Sequence, residues 1–168
     1  MYEPRPQRKY PPAWRVVLAF ALAPGIAALL MATLMPAYEG LADPAERILR
    51  TAQIYSLFGA YPTAAFVGIP AFLMMRRHFA ATAINCMMAG AFVAALPWIL
   101  LVLLPPSATS ASIGGRATVV HGKRTMWGWL SGAEVALQIA AFGAVAGLIF
   151  WAVAAAGRHA GEAGEVEG

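Results

Sequence analysis

Apolar and polar positions along the chain fall into blocks rather than a fine alternation. Four long apolar runs, residues 16–35, 51–75, 79–104 and 130–156, are separated by short polar stretches. About 20 apolar residues cross the hydrocarbon core of a bilayer, and the second and third runs carry no charged side chain at all. In lipid every backbone polar group needs a partner inside the protein, so such runs are helices or a closed barrel. They lack the period-two alternation of barrel strands, which leaves helices. The pattern predicts an all-α integral membrane protein, a bundle of four transmembrane helices. The first run is also longer than the 7–15 residues of a secretory signal core, and is read as a retained span.

Composition agrees, with 60% hydrophobic and only 12% charged residues. The net charge of +4 adds an orientation. Arg5, Arg8, Lys9 and Arg15 precede the first span among Pro4, Pro6, Pro11 and Pro12; Arg76, Arg77 and Arg158 share their side, making seven cations. The opposite side has five: Arg47, Arg50, Arg116, Lys123 and Arg124. Positive-inside reasoning then puts both termini in the cytoplasm. A basic arm can also contact nucleic acid, but beside a span it is read here as a topology signal, and no nucleic-acid partner is expected. The expected organisation is a basic Pro-rich arm (1–15), a membrane domain (16–156) and a Gly/Glu-rich tail (157–168) whose composition predicts disorder.

The loops carry local signals. Asp43 before Pro44 is a helix start, a side-chain cap followed by a proline at the first helical position. Glu46 and Arg50 stand i,i+4 in the favourable order. The second helix is therefore expected to run from Pro44 to Met75, roughly 48 Å at 1.5 Å per residue, with its first turns outside the membrane. Pro62 and Pro70 are expected to kink it. Between the third and fourth spans, residues 107–112 read as irregular. Residues 116–120, His121-Gly122 and 123–126 then read as a short periplasmic β-hairpin around a His-Gly turn.

Candidate chemistry is sparse. Glu134 is an ionisable group inside a span, a functional candidate by default. It lies five residues beyond Trp129, roughly 8 Å along a helix. Gln138 extends the same face, and Gln53, Tyr55 and Ser56 of the second span are expected at similar depth. Three readings stay open for this group: a polar cluster joining the second and fourth helices, a site for a proton, ion or small ligand, or simple interfacial solvation. Asn85, near the other face, is read as an interhelical hydrogen-bonding residue. Cys86 is the single cysteine, and His78, His121 and His159 lie far apart. No catalytic set, cofactor site or metal site is expected. Small residues at four-residue spacing let helices approach closely: Gly143 with Gly147, Gly90 with Ala94, Ala64 with Gly68, and Ala21 with Gly25.

The stretches Gly59-Ala60-Tyr61-Pro62, Gly68-Ile69-Pro70, Arg76-Arg77, Gly90, Ala95-Leu96-Pro97 and Gly128-Trp129-Leu130 resemble small four-span proteins encoded in many bacteria. The resemblance implies a bacterial inner membrane and nothing catalytic. The expectation from sequence is thus a non-enzymatic accessory or structural subunit, with the lipid bilayer and other membrane subunits, or itself, as partners. The alternative is a small transporter built around Glu134.

Overall fold

The computed structural model describes residues 11–37, 42–79 and 81–154. Most of the basic arm and the whole Gly/Glu-rich tail therefore lie outside the described residues. Four helices are long and apolar enough to cross a membrane. They are α1 (Ala13–Leu34), α2 (beginning at Pro44), α3 (Ala83–Leu103) and α4 (Met126–Ala154).

Helix α2 starts as its cap dictates. Asp43 Oδ1 accepts a hydrogen bond from the Ala45 N–H at 3.0 Å, and Arg50 pairs with Glu46 at 2.7 Å. The helix then proceeds in five consecutive stretches. α-Helical Pro44–Ile54, Tyr61–Thr63 and Ile69–His78 are separated by π-helical Tyr55–Ala60 and Ala64–Gly68. Each π stretch ends directly before a proline-bearing turn. The Tyr61 N–H donates to Ser56 O just ahead of Pro62, and the Ile69 N–H donates to Ala64 O just ahead of Pro70. A proline has no N–H to donate, and its ring crowds the carbonyl four residues back. A widened turn relieves that crowding while keeping neighbouring donors paired.

Helix α3 begins later than the apolar pattern suggested. Phe79 is extended, and the helix opens at Ala83, where the Thr82 hydroxyl accepts from the Asn85 N–H at 3.2 Å. Hydropathy cannot see such a cap, so residues 79–82 read as part of the span. Helix α4 begins earlier than expected, at Met126. Thr125 caps it, its carbonyl accepting from the Trp129 N–H and its hydroxyl from the Gly128 N–H at 3.1 Å each.

The connection between α3 and α4 is a three-stranded antiparallel sheet of β1 (Ala111–Ile113), β2 (Arg116–Val120) and β3 (Lys123–Arg124), in that order. The β2–β3 turn is His121-Gly122, with both residues at positive φ (49° and 72°), the geometry that matches strand twist in a two-residue hairpin. Ala111 and Ser112 lie in β1, not in irregular chain. Gly114 and Gly115, also at positive φ, turn β1 into β2. Thr125 and Met126 belong to the cap and start of α4 rather than to the hairpin.

Helix α4 packs against both α3 and α1, while α2 lies mainly along α1. The tightest seam is between α3 and α4. A Cβ on Gly90 would fall on the Gly143 carbonyl oxygen and 2.9 Å from Gly147 N. One on Gly143 would lie 2.5 Å from the Ala94 Cβ, and one on Gly147 would lie 2.7 Å from the Cys86 carbonyl carbon. Gly68 is different: a Cβ there would meet Phe20 and Val93 only at ordinary distances, 3.5 and 3.6 Å. On α1 the buried small-residue face is Ala19, Ala23, Ala27, Ala28 and Ala32, whereas Ala21 is exposed. Trp98 crosses the α3–α4 seam and donates its indole N–H to Gly132 O at 3.1 Å.

Candidate functional site

Polar and ionisable side chains gather at the two ends of the bundle, and the ends differ. At the sheet end, the first turns of α2 serve the α1–α2 connection. Thr51 is completely buried. Its hydroxyl donates to Arg47 O at 2.8 Å and accepts from the Ala37 N–H at 3.2 Å. One turn on, Tyr55 directs its hydroxyl at Met35 O, 3.4 Å away. Gln53 is exposed and Ser56 half-buried.

Glu134 does not join this group. It is exposed on α4, which packs against α3 and α1 and not against the start of α2. It makes no hydrogen bond or ion pair with any described residue. Gln138, half-buried one turn on, is likewise not brought to Gln53, Tyr55 or Ser56. At this end of the bundle the start of α2 packs on α1 rather than on α4, so the two polar groups are not brought together.

The nearby cations have other occupations. Arg116 stacks over the Trp127 ring at 4.3 Å, a favourable cation–π distance. Arg124 reaches Leu101 O and Leu104 O at 3.5 Å each. It thereby brings positive charge to the C-terminal end of α3, where unpaired carbonyls favour it. The sheet is tied to α4 by the Thr125 hydroxyl, which donates to Ala117 O at 2.7 Å.

The opposite end contains a feature that sequence reading missed. A cavity of about 150 Å³ lies among all four helices. Its walls are alanine, glycine and phenylalanine, with Phe20, Phe72 and Phe150 meeting edge to face at centroid distances of 5.0–5.9 Å. Such an offset arrangement is the favoured one for aromatic rings. Asn85 and Cys86 line it from the first turn of α3, and Trp151 from α4. It extends to the end of the bundle, where Pro11, Arg76, Phe79 and Ala81 line it. Asn85 is thus the sequence-nominated polar residue that lines this cavity, and Gly68, Gly90 and Gly147 lie along its wall. The available signal was three phenylalanines on three spans at matching depth from one membrane face. Among the described residues, no three His, Cys, Asp or Glu side chains come together.

No family model, curated protein or solved structure matches the chain.

Proposed function

We propose that this is a non-enzymatic membrane subunit of the bacterial inner membrane that works by associating, through α4, with another membrane protein or a second copy of itself. Both termini are cytoplasmic in this reading, and the small sheet is periplasmic. The observation that carries it is Glu134. A carboxylate within an apolar span is costly unless paired or solvated, and Glu134 has no partner among the described residues. It stands on an exposed face with Leu130, Ala133 and Leu137, roughly 8 Å below Trp129. A donor or cation supplied by a neighbouring subunit would offset that cost. The glycine seam, by contrast, is consumed within the chain, where Gly90, Gly143 and Gly147 already pack together.

The test is the size of the particle released from native membranes by mild detergent. The wild-type chain should emerge in a defined assembly. Glu134→Leu should emerge alone with unchanged helical content, and Glu134→Gln should remain partly associated through its amide. A lone wild-type chain would refute the proposal. A Glu134→Gln variant that assembles fully but loses a proton- or cation-linked flux would establish the carrier alternative instead.

A further inference from the structure

The cavity at the far end of the bundle from Glu134 stands apart from that reading. Its volume of about 150 Å³ equals that of an engineered apolar cavity that stays dry and accepts benzene. That is room for a short stretch of one hydrocarbon chain, not for a whole lipid. The walls offer almost nothing polar until the mouth. There Arg76 is exposed, with no acidic partner among the described residues. A guanidinium with no described partner over an apolar slot at the end of a membrane bundle matches one chemistry: a phosphate at headgroup level with an alkyl chain below it.

We propose that this cavity binds an anionic phospholipid, with one acyl chain inserted beside Phe20, Phe72 and Phe150 and the phosphate held by Arg76. Arginine suits the role because its planar fork meets two phosphate oxygens at once. The small side chains that line the slot, Ala71, Ala89 and Ala146 among them, are what leave room for the chain. Their replacement by larger apolar residues closes the site without adding a polar group.

The experiment uses the purified full-length chain in detergent and native mass spectrometry, titrating phosphatidylglycerol and phosphatidylcholine with identical acyl chains. Wild type should prefer phosphatidylglycerol by about tenfold, because the choline ammonium of phosphatidylcholine offsets the charge of its phosphate and is repelled by Arg76. Arg76→Gln should erase the preference while leaving weak binding of both lipids. Ala146→Leu should reduce binding of both lipids at an unchanged or higher melting temperature, because the added carbons fill empty space. If that variant misfolds, Ala71→Leu makes the same test from α2. Equal binding of the two lipids by wild type, or a preference that survives Arg76→Gln, overturns the anionic headgroup. Binding of both lipids undiminished by Arg76→Gln overturns the phosphate contact, since phosphatidylcholine carries the same phosphodiester. Undiminished phosphatidylglycerol binding by a folded cavity-filled variant overturns the inserted chain.

Discussion

Adding a single methyl group to the α3–α4 seam should separate two helices, and its effect can be weighed from the structure. In Gly147→Ala the new Cβ lands on the Cys86 carbonyl oxygen, 2.7 Å from its carbon and 3.0 Å from the Met87 Cα. All three are backbone atoms, so no side chain can rotate aside. In Gly143→Ala the new Cβ lies 2.5 Å from the Ala94 Cβ. Carbon atoms sit comfortably at about 3.5–4.0 Å, so the helices must part by roughly 1.0–1.5 Å. Overpacking of this kind costs about 1–3 kcal/mol. Against it stands the helix-propensity gain of Gly→Ala, about 1 kcal/mol. Gly59 isolates that gain, because a Cβ there would meet nothing within 4 Å. Gly59→Ala should therefore raise stability by up to about 1 kcal/mol, while Gly147→Ala should lower it by up to about 2 kcal/mol, the overpacking cost less that gain. Thermal unfolding of the three variants in one detergent reads the order. Gly147→Ala matching or exceeding Gly59→Ala in stability would refute the close crossing.

Other contacts make similar claims. Tyr61 donates its hydroxyl to Ala21 O at 2.8 Å, and the same oxygen would stand 2.8 Å from a Cβ on Gly25. Tyr61→Phe should cost about 0.6 kcal/mol, and Gly25→Ala should be better tolerated in the Phe background than in wild type, as a double-mutant cycle in detergent would show. Asp43→Ala should cost about 1 kcal/mol by removing the α2 cap, measured as faster amide exchange confined to the first turn. Gly122→Val should destabilise the β2–β3 turn by about 1 kcal/mol or more, since φ is +72° there and a β-branched residue is strained at positive φ; protease nicking between Val120 and Lys123 reports it. Reporter fusions after Arg77 and near Gly114 should read opposite sides of the membrane, with cytoplasm at Arg77.

What was legible in the sequence was whatever is encoded locally. The spans are legible because lipid demands long apolar runs, the start of α2 because Asp43-Pro44 is a complete cap, and the β2–β3 turn because glycine follows His121. The partnering of helices was not. In water a helix announces its buried face by an apolar stripe, but α1, α3 and α4 are apolar nearly all round, so no stripe marks which side meets which neighbour. Assigning Gln53, Tyr55 and Ser56 to the company of Glu134 rested on shared depth, which is one coordinate of three. The direction around the bundle was missing, and α1 occupies the place given to α4. The cavity was hidden for the same reason. Its small residues are scattered over four segments, and small residues abound throughout the chain.

The two widened turns of α2 act as a phase adjustment on everything downstream. A residue added to an α-helix rotates the following side chains by about 100°. Each π turn closes its hydrogen bond over one residue more than an α turn does. Phe72, Met75 and Arg76 therefore face the cavity at an azimuth that an unbroken helix from Pro44 would have given to other residues. The rotational setting of this end of the helix is thus written upstream, in Tyr55–Ala60 and Ala64–Gly68. Straightening either stretch at unchanged length would turn the guanidinium away from the slot by about 100°, whereas deleting one residue from it would restore a regular spiral and keep the guanidinium where it is.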